Sequence, residues 1–246
     1  MSTISTIEWT DATWNPVTGC TKISRGCDNC YAETFSERFR GVEGHHFNSG
    51  FDLTLRAERL EQPLKWKLPK IIFVNSMSDL FHKDIPTEFI DSVFDTMEKA
   101  HWHIFQLLTK RSSLMKKYIN NRYASNPCPN NIWIGVSVED SPAKSRIKHL
   151  QDANISTRFL SIEPLIADVG ELQLNDINWV IVGGESGNQA RPMNPKWAIG
   201  VRDQCMASGV AFFFKQWGRF GQDGIARSKK ANGRELFGEV YDGMPI

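Results

Sequence analysis

Three of the five cysteines stand close together in the segment Gly19 to Glu33, at Cys20, Cys27 and Cys30, with the spacing C-x6-C-x2-C. Thiolates are soft ligands that select zinc, copper(I) or iron–sulfur clusters. Three of them fall one short of the closed tetrahedral set of a structural zinc site, and no fourth Cys or His lies inside the segment. On an iron–sulfur cubane, three cysteines leave one iron open to bind a reactant, which is a catalytic arrangement rather than a structural one. The competing reading is a zinc knuckle completed by a distant imidazole, for which His45 and His46 are the candidates. Cys128, between prolines ahead of a strand, and Cys205, on a helix, read as packing or surface cysteines.

The elements that must position this segment alternate along the chain. Residues 7–17 read as a short strand ended by Asn15-Pro16, and the cysteine loop then opens onto a helical run from Tyr31 to Arg40, closed by Gly41. A polar loop to Gly50 and a short strand from Phe51 follow. Apolar runs at 70–75, 103–109, 132–138, 157–162, 179–182 and 210–214 read as strands, with helical patterns after Pro86, around 114–118 and over 142–150. Strands alternating with helices predict an α/β fold with a parallel sheet, closed as a partial or complete β/α (TIM-like) barrel; a doubly wound open sheet is the alternative. One domain is expected over 1–246, with a Gly-rich basic segment at 218–246 and a short returning element at 235–241.

Nearly every predicted strand ends in polar or charged residues: Asn75, Ser76, Ser78 and Asp79; Thr109, Lys110 and Arg111; Ser137, Glu139 and Asp140; Ser161 and Glu163; Gly183, Gly184 and Glu185; Lys215, Gln216 and Trp217. In a β/α barrel these ends converge on one mouth, where active sites are built. Gly183 to Gly187 has the composition of a backbone nest for an anion, or of an ordinary strand-to-loop turn. Glu139 is equally suited to the start of a helix beside Pro142, whereas Glu163 precedes Pro164 with no helix immediately after it. Lys110, Arg111, Lys116, Lys117, Arg191 and the 227–234 run are candidate phosphate contacts, with Trp102, Tyr118, Trp197, Trp217 and Phe220 as stacking surfaces; the plainer reading is a solvated charged face. His82, His101 and His103 flank strands and read as structural.

The run from Trp14-Asn15-Pro16 through the cysteines to Tyr31-Ala32-Glu33 resembles a phage-associated three-cysteine family, itself similar to the radical S-adenosylmethionine (SAM) enzymes and to spore photoproduct lyase. The resemblance covers most of the chain. It implies that Cys20, Cys27 and Cys30 hold a [4Fe-4S] cluster, that the open iron chelates SAM, and that an electron donor drives SAM cleavage to a hydrogen-abstracting 5′-deoxyadenosyl radical. The first cysteine gap is longer than the superfamily's common spacing, and the aromatic residue follows Cys30 as Tyr31 instead of preceding it. SAM binding is divided between Asn75, Ser76, Ser78 and Asp79, which match the superfamily's glycine-glycine-glutamate element by position, and Gly183, Gly184 and Glu185, which match it by composition. Ser137, Glu139 and Glu163 complete the implied SAM contacts. Lys110, Arg111, Arg191, Lys215 and Trp217, read from the residues, are the candidate substrate contacts, and the resemblance implies a nucleic-acid base or nucleotide as the substrate class.

Composition bounds these readings. A chain of 246 residues, 41% of them hydrophobic, buries a substantial core. A formal net charge of +1 gives no bulk electrostatic pull toward nucleic acid, so local patches must supply any such affinity. The first nine residues carry no basic and apolar leader pattern and no bilayer-length apolar run occurs, so a cytoplasmic protein without membrane contact is expected. An odd number of cysteines, mostly clustered, fits metal binding in a reducing compartment better than a disulfide framework.

Overall fold

The apolar runs become strands because β-branched and aromatic residues pack well on a pleated surface, and the intervening polar turns end them. The computed structural model describes residues 5 and 7–245; the rest of the N-terminal stretch considered above lies outside the described residues. Its strands are β1 (Ala12–Trp14), β2 (Val17–Thr18), β3 (Thr54–Leu55), β4 (Ile71–Val74), β5 (Ile104–Thr109), β6 (Ile132–Ser137), β7 (Thr157–Ile162), β8 (Trp179–Gly183) and β9 (Ala211–Gln216). The helices are α1 (Tyr31–Glu37), α2 (Thr87–Lys99), α3 (Ser112–Arg122), α4 (Ser145–Gln151), α5 (Pro195–Ser208) and α6 (Lys229–Asn232).

Seven strands form one sheet in the order β1-β4-β5-β6-β7-β8-β9, while β2 and β3 pair antiparallel. The β1–β4, β4–β5, β7–β8 and β8–β9 pairs are parallel. A doubly wound sheet reverses its order at a switch point. Here every sheet strand follows its predecessor in the chain, which is the winding of a partial β/α barrel.

By contacts the chain gathers into two compact units that interleave in sequence. One comprises Met1–Ile23, Cys30–Ile134 and Asn154–Ser156, the other Ser24–Asn29, Gly135–Ala153 and Thr157–Ile246. The cysteine segment is shared between them: Cys20 and Cys30 belong to the first, and Cys27 to the second.

Within the first unit, α2 buries Ile90, Val93, Phe94 and Met97, the i, i+3, i+4, i+7 stripe of an amphipathic helix. Only Ala12–Trp14 of the expected first strand joins the sheet. After Pro16, Val17–Thr18 turns to pair with Thr54–Leu55. Helix α1 stops at Glu37, short of the expected Arg40. There the amides of Phe39 and Arg40 turn back on the carbonyls of Ser36 and Glu37, and the Arg40 guanidinium is captured by Glu37 at 2.6 Å and Asp52 at 2.9 Å.

In the second unit the Asn194 side chain accepts from the Lys196 amide to cap α5, Pro195 opens the helix, and Gly209 at φ 65° ends it. The 163–178 stretch carries no helix, so the strand–helix alternation lapses between β7 and β8. The chain does return to the sheet, but at residues 241–243 rather than over the expected 235–241. The Phe214 amide donates to Tyr241 O at 3.0 Å, the Gly243 amide to Phe212 O at 3.0 Å, and the Trp179 indole to Gly243 O at 2.7 Å. Trp179, Phe159, Phe214 and Trp217 are fully buried in this unit and Trp14, Phe94 and Phe105 in the first. No helix among the described residues is long and apolar enough to cross a membrane.

Candidate functional site

Cys20 follows β2 on a backbone that only glycine permits at the preceding position. Gly19 has φ +81°, and a Cβ there would sit 2.2 Å from the Asp52 carbonyl oxygen. The Gly19 amide donates to Met77 O at 3.0 Å and the Cys20 amide to Phe51 O at 3.2 Å. Arg111 then reaches the thiol: Nη1 donates to Cys20 Sγ at 3.4 Å and to Asp79 Oδ2 at 3.1 Å, and Nη2 to Thr21 O and Thr21 Oγ1, both at 2.9 Å. Asp79 is itself fixed by the Thr109 hydroxyl at 2.7 Å and by the amides of Phe81 and Lys110 at 3.1 Å. Burial pushes the Cys20 thiol up, and Arg111 pulls against it. Burial likewise disfavours the Arg111 charge, but Asp79 and Cys20 more than offset it and hold the guanidinium above its ordinary value. Arg111 is thus turned into the protein, 9% exposed, rather than out to a substrate phosphate. His82 is buried with Nε2 2.8 Å from Thr21 Oγ1, the structural role its position suggested.

The 75–79 turn lies in the same unit. Asn75, at φ 58°, accepts from the Val17 amide at 3.3 Å through Oδ1, and its buried Nδ2 has no hydrogen-bond partner. Ser76 donates to Asn15 Oδ1 at 3.2 Å, Ser78 to Val17 O at 3.0 Å, and the Tyr31 hydroxyl to Ser76 O. Cys30 occupies the N-cap of α1. Lys110 contributes its amide to Asp79 and is half-buried.

Cys27 belongs to the loop Ser24–Asn29, which two buried carboxylates anchor. Glu139, fully buried, accepts from the Ser24 hydroxyl and from Arg146 Nη1 at 2.7 Å; Arg146 also donates to Ser137 O at 2.8 Å. The loop backbone passes so close that a Cβ on Gly26 would lie 2.9 Å from Glu139 Cδ. At the other end Glu185 receives Arg191 Nη2 at 2.7 Å, Nε at 2.9 Å, the Arg191 amide at 2.8 Å and Asn29 Nδ2 at 3.2 Å. Arg191 continues to Asp28 Oδ2 at 3.0 Å and Arg25 O at 2.9 Å. Burial raises the Glu185 carboxyl, but the hydrogen bonds from Arg191 and Asn29 outweigh it and hold it below the usual range. Ser24 Oγ stands 3.9 Å from Cys27 Sγ.

The remaining strand-end residues of this unit form a third group. Glu163 takes Lys215 Nζ at 2.8 Å and Gln216 Nε2 at 3.1 Å, and Gln216 also donates to Ser186 Oγ at 3.1 Å. Gly184 answers a steric need rather than forming an open nest, since a Cβ there would lie 2.0 Å from Trp217 O. Trp217 is 2% exposed and its indole donates to Glu235 O at 2.8 Å, so it packs inside instead of offering a stacking face. Beyond it, Ser186, Gly187, Asn188, Arg219, Arg227 and Lys229 line a shallow cleft of about 140 Å³. Ser24, Asn29 and Arg146 were not singled out in the sequence. Ser24 and Asn29 carried a signal, because both sit between the cysteines.

All five cysteines are free thiols. Cys128 and Cys205 are fully buried, and burial pushes both up to about 12, as expected of packing residues. His45 stacks on Phe39 with centroids 3.9 Å apart and on His46 at 4.5 Å, so the imidazoles a zinc knuckle would recruit lie in an aromatic cluster. Among the described residues no group of three or more His, Cys, Asp or Glu side chains is gathered as a ready metal site.

Residues 4–245 match the family described as "Protein of unknown function (DUF5131)", and the chain belongs to it. No curated protein matches. Among solved structures the chain is similar to spore photoproduct lyase complexed with dinucleoside spore photoproduct, at 9% identity and TM-score 0.45, over 81% of this chain and 64% of that one. It is also similar to a double mutant of spore photoproduct lyase with bound AdoMet and dinucleoside spore photoproduct, at 10% identity and TM-score 0.44, over 79% of this chain and 61% of that one. The chain therefore spans less than two thirds of either neighbour.

Proposed function

We propose that the protein is a radical SAM-type enzyme in which Cys20, Cys27 and Cys30 hold a [4Fe-4S] cluster. The observation that carries this reading is the donor set: three free, partly exposed thiols in one segment, with the two nearby imidazoles engaged in an aromatic stack. When bound there, such a cluster supplies a low-potential electron and an open iron for the cleavage of SAM. An orphaned buried amide fits the second ligand. Asn75 Nδ2, lacking a partner, is a donor suited to a SAM oxygen, with Ser76 and Ser78 beside it in the turn, whereas Asp79 is committed to Arg111, Thr109 and the Phe81 and Lys110 amides. Gly183, Gly184 and Glu185 are the weaker half of the division, because Glu185 is saturated by Arg191 and Asn29. Glu139 is likewise committed to Ser24 and Arg146; Ser137 lends its carbonyl to Arg146, and Glu163 holds Lys215.

The substrate reading is a phosphate-bearing nucleotide or nucleic-acid base. Its support is the cleft with Arg219, Arg227 and Lys229 on its lining, chemistry that recognises phosphate. Lys110 stays in the proposed substrate set, whereas Arg111, Arg191, Lys215 and Trp217 are taken up by internal contacts.

Anaerobic reconstitution with iron and sulfide, then reduction with SAM, tests the proposal. Iron and sulfide bound near cluster stoichiometry, with 5′-deoxyadenosine formed, supports it. A colourless protein holding only zinc supports the metal-stabilised nucleic-acid-binding alternative and overturns it.

A further inference from the structure

We infer that Arg111 sets the reduction potential of the centre ligated through Cys20. This rests on the reading of Cys20 as a cluster ligand and extends it to a residue that binds neither SAM nor substrate. Reduction potentials of iron–sulfur centres depend on net charge, on hydrogen bonds to the sulfurs and on solvent exposure. All three converge on one guanidinium. Arg111 Nη1 donates to Cys20 Sγ at 3.4 Å, and the Arg111 and Asp79 side chains are only 8% and 9% exposed. Four further hydrogen bonds leave the group little freedom: two from Nη2 to Thr21, one from Nη1 to Asp79, and one from the Arg111 amide to Thr109 Oγ1 at 2.8 Å. Thr109 in turn donates to Asp79 at 2.7 Å, so the last residue of β5 supports the counter-ion and the turn just after it supplies the cation.

The redox step is a single electron transfer with no bond made or broken. A [4Fe-4S]2+ centre takes one electron from an external low-potential reductant such as dithionite and becomes [4Fe-4S]+. The reduced form carries one more negative charge on iron and sulfur. A cation and an N–H donor fixed against a ligand sulfur therefore stabilise it more than the oxidised form, and the potential rises. Asp79 opposes this by neutralising part of the Arg111 charge. The two residues consequently make opposite contributions, which a general loosening of the fold cannot imitate.

The test is a potentiometric titration of the anaerobically reconstituted protein with dithionite, followed by the electron paramagnetic resonance signal of the reduced centre. Arg111→Gln is expected to load iron as the wild type does and to lower the one-electron reduction equilibrium constant about tenfold, a fall of ~59 mV. Arg111→Lys keeps the charge without the planar fork and falls between. Asp79→Asn removes the counter-charge and moves the potential the other way. Equal potentials in wild type and Arg111→Gln at equal iron content overturn the inference while leaving the cluster reading intact, as does a shift of Asp79→Asn in the same direction as Arg111→Gln. A wild-type protein that binds no iron–sulfur centre overturns both. If Arg111→Gln fails to load, Arg111→Lys and Asp79→Asn still decide, by the opposed signs of their shifts.

Discussion

Cys20 and Cys27 belong to one motif, yet their surroundings are built from opposite charges. Around Cys20 a buried cation points at the sulfur itself, and a carboxylate holds the cation in place. Around Cys27 two buried carboxylates, Glu139 and Glu185, hold the loop through Ser24 and Asn29, and the Ser24 hydroxyl stands 3.9 Å from the sulfur. The first surroundings act on a thiol directly. The second act on where a thiol-bearing backbone lies. A glutamate at a strand end therefore need not face a cofactor: Glu139 and Glu185 have their acceptor capacity taken by arginines, and an unpaired charge at such burial would be costly.

The largest effect expected follows from the donors the two surroundings share. Replacing any one of Cys20, Cys27 or Cys30 by Ala should reduce reconstituted iron to background, measured against protein concentration. Cys128→Ala and Cys205→Ala should keep it, since both thiols are fully buried and pushed up to about 12. Iron that survives loss of Cys27 but falls with loss of Cys205 would break the motif as the shared element.

Next in size is the brace on the Cys27 loop. Arg191→Ala leaves Glu185, 6% exposed, without its bidentate partner. Removing one member of a buried pair costs about 3–5 kcal/mol; with Arg191 itself 26% exposed, a loss of about 2–3 kcal/mol is expected from urea unfolding. Hydrogen exchange should quicken at residues 24–29, and Arg191→Lys should rescue little, because an ammonium lacks the fork. Unchanged exchange across 24–29 in Arg191→Ala would mean the loop is held by Glu139 alone.

The same carboxylate gives a pH dependence. The Glu185 value is lowered in the folded protein, so its stabilisation is complete above the unfolded range of about 4.3 and is lost as pH falls through the lower folded value. The stability gap between wild type and Glu185→Gln should therefore be widest near neutral pH and narrow in acid. A gap constant across that range would show that Glu185 acts by shape rather than charge.

The difference between the two regions also marks what was legible in the sequence. The strands were legible, because each is a compact apolar run bounded by polar turns, and the sheet order follows the chain. So was the Cys20 neighbourhood in part: Asp79 and Arg111 lie in the turns that follow the adjacent strands β4 and β5, which pair in parallel. What the pattern hid was direction. A basic residue at a strand end reads as a phosphate contact until its partners are known, and Arg111 faces inward. The Cys27 brace was hidden more deeply, since Arg191 and Asp28 lie 163 positions apart and nothing local announces their pairing. Helix α1 was over-extended for a similar reason. Arg40 looked like a favourable last-turn cation, but Glu37 and Asp52 draw it out of the helical path.

The smallest effect expected concerns the cleft lined by Arg219, Arg227 and Lys229. If a polynucleotide is the substrate, Arg219 and Lys229 each meet a phosphate, and binding of a labelled oligonucleotide should weaken linearly in log salt. Each contact contributes about 0.7 to the slope for single strands and about 0.9 for duplex. Arg219→Gln should remove about that much, since the neutral Asn188 side chain at 3.4 Å competes weakly with a phosphate. Arg227→Gln should remove less, because Asp223 already holds the Arg227 guanidinium at 2.6 and 2.8 Å and a phosphate would have to displace it. The two variants together separate a phosphate-binding cleft from a merely solvated basic face. Slopes unchanged in both would favour the solvated face and a small uncharged substrate; a slope that falls by a full contact for Arg219→Gln and by less for Arg227→Gln would sharpen the cleft into a polynucleotide contact.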